Sequence, residues 1–220
     1  TIVNNRVIKS KIKQKYFPKT KKIGSNFYSY PFWEGNTFYS CGNPELFKKL
    51  LVLLDKKIWT SKKIGSKIME NSCKKFYYKK TISRIDLFLN KDPKYKFPKT
   101  VNGKKILSLE EILEKMPWDK LYDGKPTFIH GDLQFQNILY NFKSGQFLFI
   151  DWRQDFAGHV EFGDLYYDLA KLYGGIIMNY DNIIKDAFFY EEKRNTVNVH
   201  FKKWKNDKQY QKILDNFIRK

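Results

Sequence analysis

Cysteine is almost missing from this sequence. Only Cys41 and Cys73 occur in 220 residues, and neither has a cysteine or histidine nearby at metal-ligand spacing. This excludes a disulfide framework and predicts a reduced, cytoplasmic protein. Long apolar runs are missing as well. No stretch approaches the roughly 18 residues needed to span a bilayer, so no transmembrane segment is expected. No signal-peptide pattern opens the chain, and it opens on Thr1 rather than Met, so a processed terminus or a fragment is expected. Internal repeats and low-complexity linkers are also lacking. Acids are scarce: 23 Asp and Glu stand against 42 Lys and Arg, a formal net charge of +19. Such a charge favours phosphate-bearing, nucleic-acid or anionic-lipid partners. The lysines are spread along the whole chain, however, and asparagine, isoleucine, phenylalanine and tyrosine are all abundant. That pattern fits an AT-rich coding sequence, and no recognised nucleic-acid motif appears, which argues against nucleic acid as a partner.

What is present is core material. Hydrophobic residues make up 42% of the chain and aromatics 18%, enough for one sizeable domain or two small ones. Residues 2–15 place Ile2 or Val3, Val7, Ile8 and Ile12 on one side and read as a basic amphipathic helix. "NFYSYPFWEG" (26–35) is aromatic and strand-like, ending in a turn at Gly35. Asn43, Pro44 and Glu45 start a helix well, and Leu46, Phe47, Leu50, Leu51, Leu54 and Ile58 give it a buried stripe. A longer helix is predicted over about 63–90, broken by Pro93 and Pro98. Ser108 and Glu111 form a capping box for a short helix through Met116. After 160, Gly163 and Asp164 lead into a helix capped by Gly174 or Gly175. The tail from about 181 reads as mostly helical.

The chemistry-bearing stretch is "FIHGDLQFQNILYNFKSGQFLFIDW", residues 128–152. "NILYNF" and "QFLFID" read as two strands joined by a turn at "KSG". With the turn centred on Ser144 and Gly145, Ile138 falls opposite Asp151 and Asn137 opposite Trp152. Asn137 and Asp151 then share the open end of the hairpin, and Asp132 lies in the loop feeding it. A hard cation such as Mg²⁺ takes a few protein oxygens and keeps sites for water and substrate phosphates. Asp151 and Asn137 suit that task, and Asp132, off the metal, could take a proton from an attacking hydroxyl. Taken singly, Asp132 reads as a cap, Asn137 as a turn residue and His130 as a core or loop histidine. Asp151, a carboxylate ending an apolar strand, is harder to assign to structure alone.

"HGDLQFQNIL", "IDW" and "GDLYYDLAKL" together resemble the aminoglycoside phosphotransferase and choline kinase superfamily, over about residues 127–174. The resemblance implies an α+β, protein-kinase-like fold with a mostly helical C-terminal lobe, a small catalytic β-hairpin and a partial N-terminal lobe. Residues 1–35 would be the remnant of the N-terminal lobe and the hinge, and 36–220 the C-terminal lobe. It implies ATP and Mg²⁺ as cofactors and a small-molecule hydroxyl as acceptor: choline, ethanolamine, an aminosugar or an aminoglycoside. Asp132 resembles the catalytic base, Asn137 and Asp151 the magnesium ligands, and His130 the residue bracing the catalytic loop. Asp164 and Asp168 match acids that support the site structurally. Tyr30 and Phe32, in "SYPFWEG", resemble the adenine-binding hinge. Trp152, Asp155, Phe156 and Glu161 are the nearest candidates to face an acceptor, with packing the competing role for Trp152 and Phe156.

The sequence departs from the family upstream. No glycine-rich phosphate loop precedes residue 24, and the first helix holds no Glu to pair a phosphate-binding lysine. The expectation is therefore a chain lacking the start of the N-terminal lobe. The alternatives are a pseudokinase, a polyanion-binding module, and a metal-dependent phosphohydrolase using the same acids.

Overall fold

The computed structural model describes residues 2–219. The chain is mixed α+β, with several small sheets rather than one large one. It divides into two compact units. Of the described residues, one gathers 2–65, 125–181 and 203–219; the other gathers 66–124 and 182–202.

In the first unit the helix Ile2–Ile12 leads into a two-stranded ribbon, Lys21–Ile23 against Phe27–Ser29. The helix exists as expected, but its face does not. Val3, Lys9 and Ser10 are buried, whereas Ile8 and Ile12 are exposed. The reason is polar: what this helix covers includes the backbone carbonyls of His130 and Arg153, which need donors more than methyl groups. The helix Pro44–Leu53 begins as read, with Asn43 Oδ1 accepting from the Leu46 N–H at 2.9 Å and Pro44 in its first turn. It widens into a π-helical turn over Leu54–Ile58, closed by the Trp59 N–H donating to the Leu54 carbonyl at 2.8 Å.

The hairpin pairs Ile138–Asn141 with Gln146–Phe149, and Asn36–Thr37 adds a third strand. Its register is Ile138 opposite Phe149, not Asp151. Asn141 tightens the turn, its side chain accepting from the Ser144 N–H and its carbonyl from the Gly145 N–H. The shift of two residues preserves every side chain's face, because strand side chains alternate with period two. The core is aromatic: Phe38, Phe47, Phe135, Trp204 and Tyr210 stack and cross within one cluster.

The helix Leu165–Met178 runs straight through Gly174 and Gly175 and ends at Asn179, whose φ is 38°. The expected glycine cap is therefore wrong. Gly175 serves close packing instead: a Cβ there would lie 2.9 Å from Phe135 Cδ2 and 3.1 Å from the Tyr39 hydroxyl.

In the second unit, Ser66–Cys73, a π-helical segment Lys74–Lys79 and Lys80–Lys91 run on as consecutive helical segments, as expected. The capping box at Ser108 and Glu111 forms with both hydrogen bonds present. The tail differs from expectation. Phe188–Lys193 and Thr196–Phe201 form a six-pair antiparallel hairpin, and Asp207–Ile218, in the first unit, is helical.

Candidate active site

The site is built on a loop that the backbone cannot hold by itself. Residues 128–134 lie between the short strand Pro126–Thr127 and the 3₁₀ turn Phe135–Asn137. Gly131 sits at φ +84°, and a Cβ there would lie 2.7 Å from Arg153 Cβ. This is a backbone conformation that only glycine adopts freely.

Asp168 anchors the loop from the helix Leu165–Met178. Its carboxylate accepts from the His130 N–H at 2.8 Å, the Gly131 N–H at 2.7 Å and Trp59 Nε1 at 3.0 Å. The group is fully buried. Burial pushes its carboxyl above the ordinary range, and the three donated hydrogen bonds and the nearby Lys9 charge oppose that shift. Asp164 caps the same helix, accepting from the Tyr166 N–H and from the Lys125 N–H. Asp164 is thus held by two backbone N–H groups, and Asp168 by two backbone N–H groups and the Trp59 indole.

His130 is fully buried beneath the loop, stacked on Phe17 with ring centroids 5.7 Å apart. Its Nδ1 accepts from the Asp132 N–H at 3.2 Å, so Nε2 carries the proton and donates to the Ile150 carbonyl at 2.9 Å. Burial, reinforced by the Lys9 charge, pushes its pKa down to about 3, and the imidazole is neutral near pH 7. One ring thus ties the start of the loop to the strand that delivers Asp151.

Asp132 leaves the loop half-buried. Its carbonyl accepts from Asn137 Nδ2 at 2.9 Å and from the Gln134 N–H at 2.9 Å. The first of these bonds engages the amide nitrogen of Asn137 and leaves its oxygen as the atom with metal-ligand chemistry. The Asn137 carbonyl accepts from the Ile150 N–H at 2.9 Å, which joins the loop to the residue before Asp151. Asp151 itself takes φ 53° and carries an exposed carboxylate. Among the described residues no three His, Cys, Asp or Glu side chains could together hold a metal ion. The donor set of one amide and one carboxylate fits Mg²⁺ that draws its remaining ligands from water and phosphate.

Three cations approach these groups, and sequence spacing singled out none of them. Lys171 Nζ lies 2.9 Å from Asp132 Oδ1. Arg6 Nη1 lies 3.8 Å from Asp151 Oδ1 and 2.6 Å from the Tyr28 hydroxyl, while its Nε is buried without a hydrogen-bond partner. Lys9 is buried and donates to the carbonyls of Arg153 at 2.9 Å and His130 at 3.3 Å. Burial pulls its pKa down to about 8, which still leaves it charged near neutrality. The sequence offered no signal for them, since the first helix read as an ordinary amphipathic one with its basic residues in solvent.

The hinge candidates sit apart in character. Tyr30 lies against Trp152, centroids 6.4 Å apart, and Phe32 is 94% exposed. Trp152 and Phe156 are fully buried, in keeping with a packing role; Trp152 Nε1 donates to the Arg6 carbonyl.

Residues 96–196 match the family model of the phosphotransferase enzyme family, APH. Over this stretch, a little under half of the chain, the sequence is similar to that family. The matched segment contains His130, Asp132, Asn137, Asp151, Asp168 and Lys171. Arg6, Lys9, Tyr30 and Phe32 lie outside it. Neither the curated proteins nor the solved structures gave a match. No helix of the described residues is long and apolar enough to cross a membrane.

Proposed function

We propose that this chain is a small-molecule kinase that moves the γ-phosphoryl group of ATP to an acceptor hydroxyl. The observation that supports this reading is the pair of hydrogen bonds that links Asp132 to Asn137 and Asn137 to Ile150, the residue before Asp151, at the open end of one hairpin inside the phosphotransferase match. Asp132 takes the hydroxyl proton as the acceptor oxygen bonds to the γ-phosphorus. The bond from that phosphorus to the β,γ-bridging oxygen breaks, and ADP leaves with the electron pair. Asn137 Oδ1 and the Asp151 carboxylate hold Mg²⁺, which supplies charge neutralisation on the phosphate oxygens. His130 is a positioning residue: neutral and buried, it braces the loop. The peptide at 30–35, with Tyr30 and Phe32, holds the adenine, so that residues 1–35 contribute the nucleotide-side lobe and hinge and 36–220 the lobe of the catalytic loop. The acceptor is a small alcohol of the choline, ethanolamine, aminosugar or aminoglycoside kind.

Calorimetry of MgATP binding, paired with an acceptor screen, tests the reading. Asp132→Asn should keep nucleotide affinity and lose transfer by about 100-fold or more. Asp151→Asn should lose the magnesium-dependent part of binding. Unchanged turnover in the first variant, or unchanged affinity in the second, would refute the assignments.

One observation favours a second reading, a nucleotide-binding pseudokinase. The Arg6 guanidinium stands 3.8 Å from Asp151, a positive charge beside the metal carboxylate. ATP binding that ignores magnesium would support that reading and overturn the first.

A further inference from the structure

Lys171 is the cation nearest the proposed base, and nothing in the loop itself requires it. It sits one turn from Asp168, on the helix whose carboxylate holds the His130 and Gly131 N–H groups. Helix and loop are thereby fixed to each other, and the ammonium reaches Asp132 at 2.9 Å from a rigid base. Both side chains keep about a third of their surface open, 29% and 34%. The pair therefore faces solvent on one side and is not a sealed core ion pair. Tyr167, one turn back, places its ring 5.9 Å from the ammonium. Burial works against the charge of Lys171, but the Asp132 carboxylate and the Tyr167 hydroxyl outweigh it and hold the group above the ordinary lysine range. It keeps its proton through any neutral-pH reaction.

An ammonium has three N–H donors, and a carboxylate oxygen occupies one. Whatever hydroxyl Asp132 deprotonates must touch that carboxylate, and the phosphorus it attacks must touch the hydroxyl. A cation 2.9 Å from the base therefore lies beside the path of the phosphoryl group in flight. Charge spreads over the three equatorial oxygens at that moment, where a preorganised cation stabilises most.

We propose that Lys171 is a catalytic residue that bridges Asp132 and the transferring phosphoryl group, donating to an equatorial oxygen in the transition state. This rests on the kinase reading above. Lys171 neither gains nor loses a proton: the acceptor proton passes to Asp132, and the ammonium only follows the charge.

The test needs no acceptor. MgADP and MgADP with aluminium fluoride, a planar stand-in for the phosphoryl group in flight, are titrated into wild type, Lys171→Met and Lys171→Arg. Wild type should bind the fluoride complex more tightly than MgADP alone. Lys171→Met should lose about 10- to 100-fold of affinity for the fluoride complex while MgADP affinity stays within about threefold, because the contact exists only in the transition state. Lys171→Arg should restore part of the loss; a merely structural ion pair would weaken both complexes together. Should Lys171→Met fail to fold, Lys171→Gln keeps a long side chain without the charge and serves the same comparison. Equal tightening by fluoride in wild type and Lys171→Met, or none in wild type, would overturn the inference. No MgADP binding by wild type would instead overturn the kinase reading beneath it.

Discussion

His130 shows how an ordinary residue becomes fixed in one role by its surroundings. Its ring accepts at Nδ1 and donates at Nε2, and burial holds its pKa near 3 against an ordinary 6.5. Between those values the unfolded chain binds the proton and the folded chain does not. Stability should therefore rise with pH across that window and fall as pH drops from 6.5 towards 3. From pH 6.5 to pH 5 the loss from this residue is about 2 kcal/mol. Urea unfolding at both pH values checks it, with His130→Gln as the reference that removes this contribution; parallel pH dependence in the two proteins would sink the prediction. The sequence showed His130, Asp132, Asn137 and Asp151 together because they lie within 22 residues of each other. Arg6, Lys9 and Lys171 were illegible because one basic residue among 42 carries no signal. Only the fold shows that Lys9 is sealed against two carbonyls while most others are solvated.

At the scale of elements, legibility followed the strength of local rules. Asn43 and Ser108 announce their helices because a side-chain oxygen has one good partner there, and both form as read. The glycines of the helix Leu165–Met178 misled because a glycine near a helix end has two explanations: a left-handed cap and a close approach. Only the second applies to Gly175, and space alone separates it from its neighbour. A Cβ on Gly174 would meet nothing nearer than the Tyr180 hydroxyl at 3.6 Å, an ordinary contact. A Cβ on Gly175 would meet the fully buried Phe135 ring at 2.9 Å. Adjacent substitutions in one helix should then have opposite signs. Gly174→Ala should stabilise by about 0.5–1 kcal/mol, through helix propensity and a less free unfolded chain. Gly175→Ala should destabilise by about 1–2 kcal/mol, overpacking outweighing the same gain. Thermal unfolding of the two variants checks it, and a shift of the same sign in both would show that Phe135 yields. The hairpin register was misjudged by two residues because a lysine-serine-glycine turn does not say which pair is central. The error left every side chain on its expected face because two residues is one full period of the strand.

At the scale of the whole molecule, composition obscured more than it revealed. The tail hairpin was hidden by charge: Glu191, Glu192, Lys193 and Arg194 interrupt the apolar alternation of 188–201 where the strands meet. The division into two units was not legible either, since its first unit draws on three separate stretches of chain. The net charge of +19 makes a physical claim of its own. Lysines spread over a surface attract any polyanion by counterion release, and that attraction weakens steeply with salt. A nucleotide held by a metal and a carboxylate depends on a few direct contacts much shorter than a Debye length, which salt screens far less. The two kinds of binding should therefore separate in one titration. Affinity for a heparin or single-stranded DNA probe should fall by about 100-fold or more between about 50 and 200 mM salt, if several phosphates or sulfates are contacted together. MgATP affinity over the same range should change by less than about tenfold and should remain sensitive to Asp151→Asn. Fluorescence anisotropy for the polyanion and calorimetry for the nucleotide read both. Tight polyanion binding that survives high salt, beside absent MgATP binding, would reverse the assignment and make the charge the function.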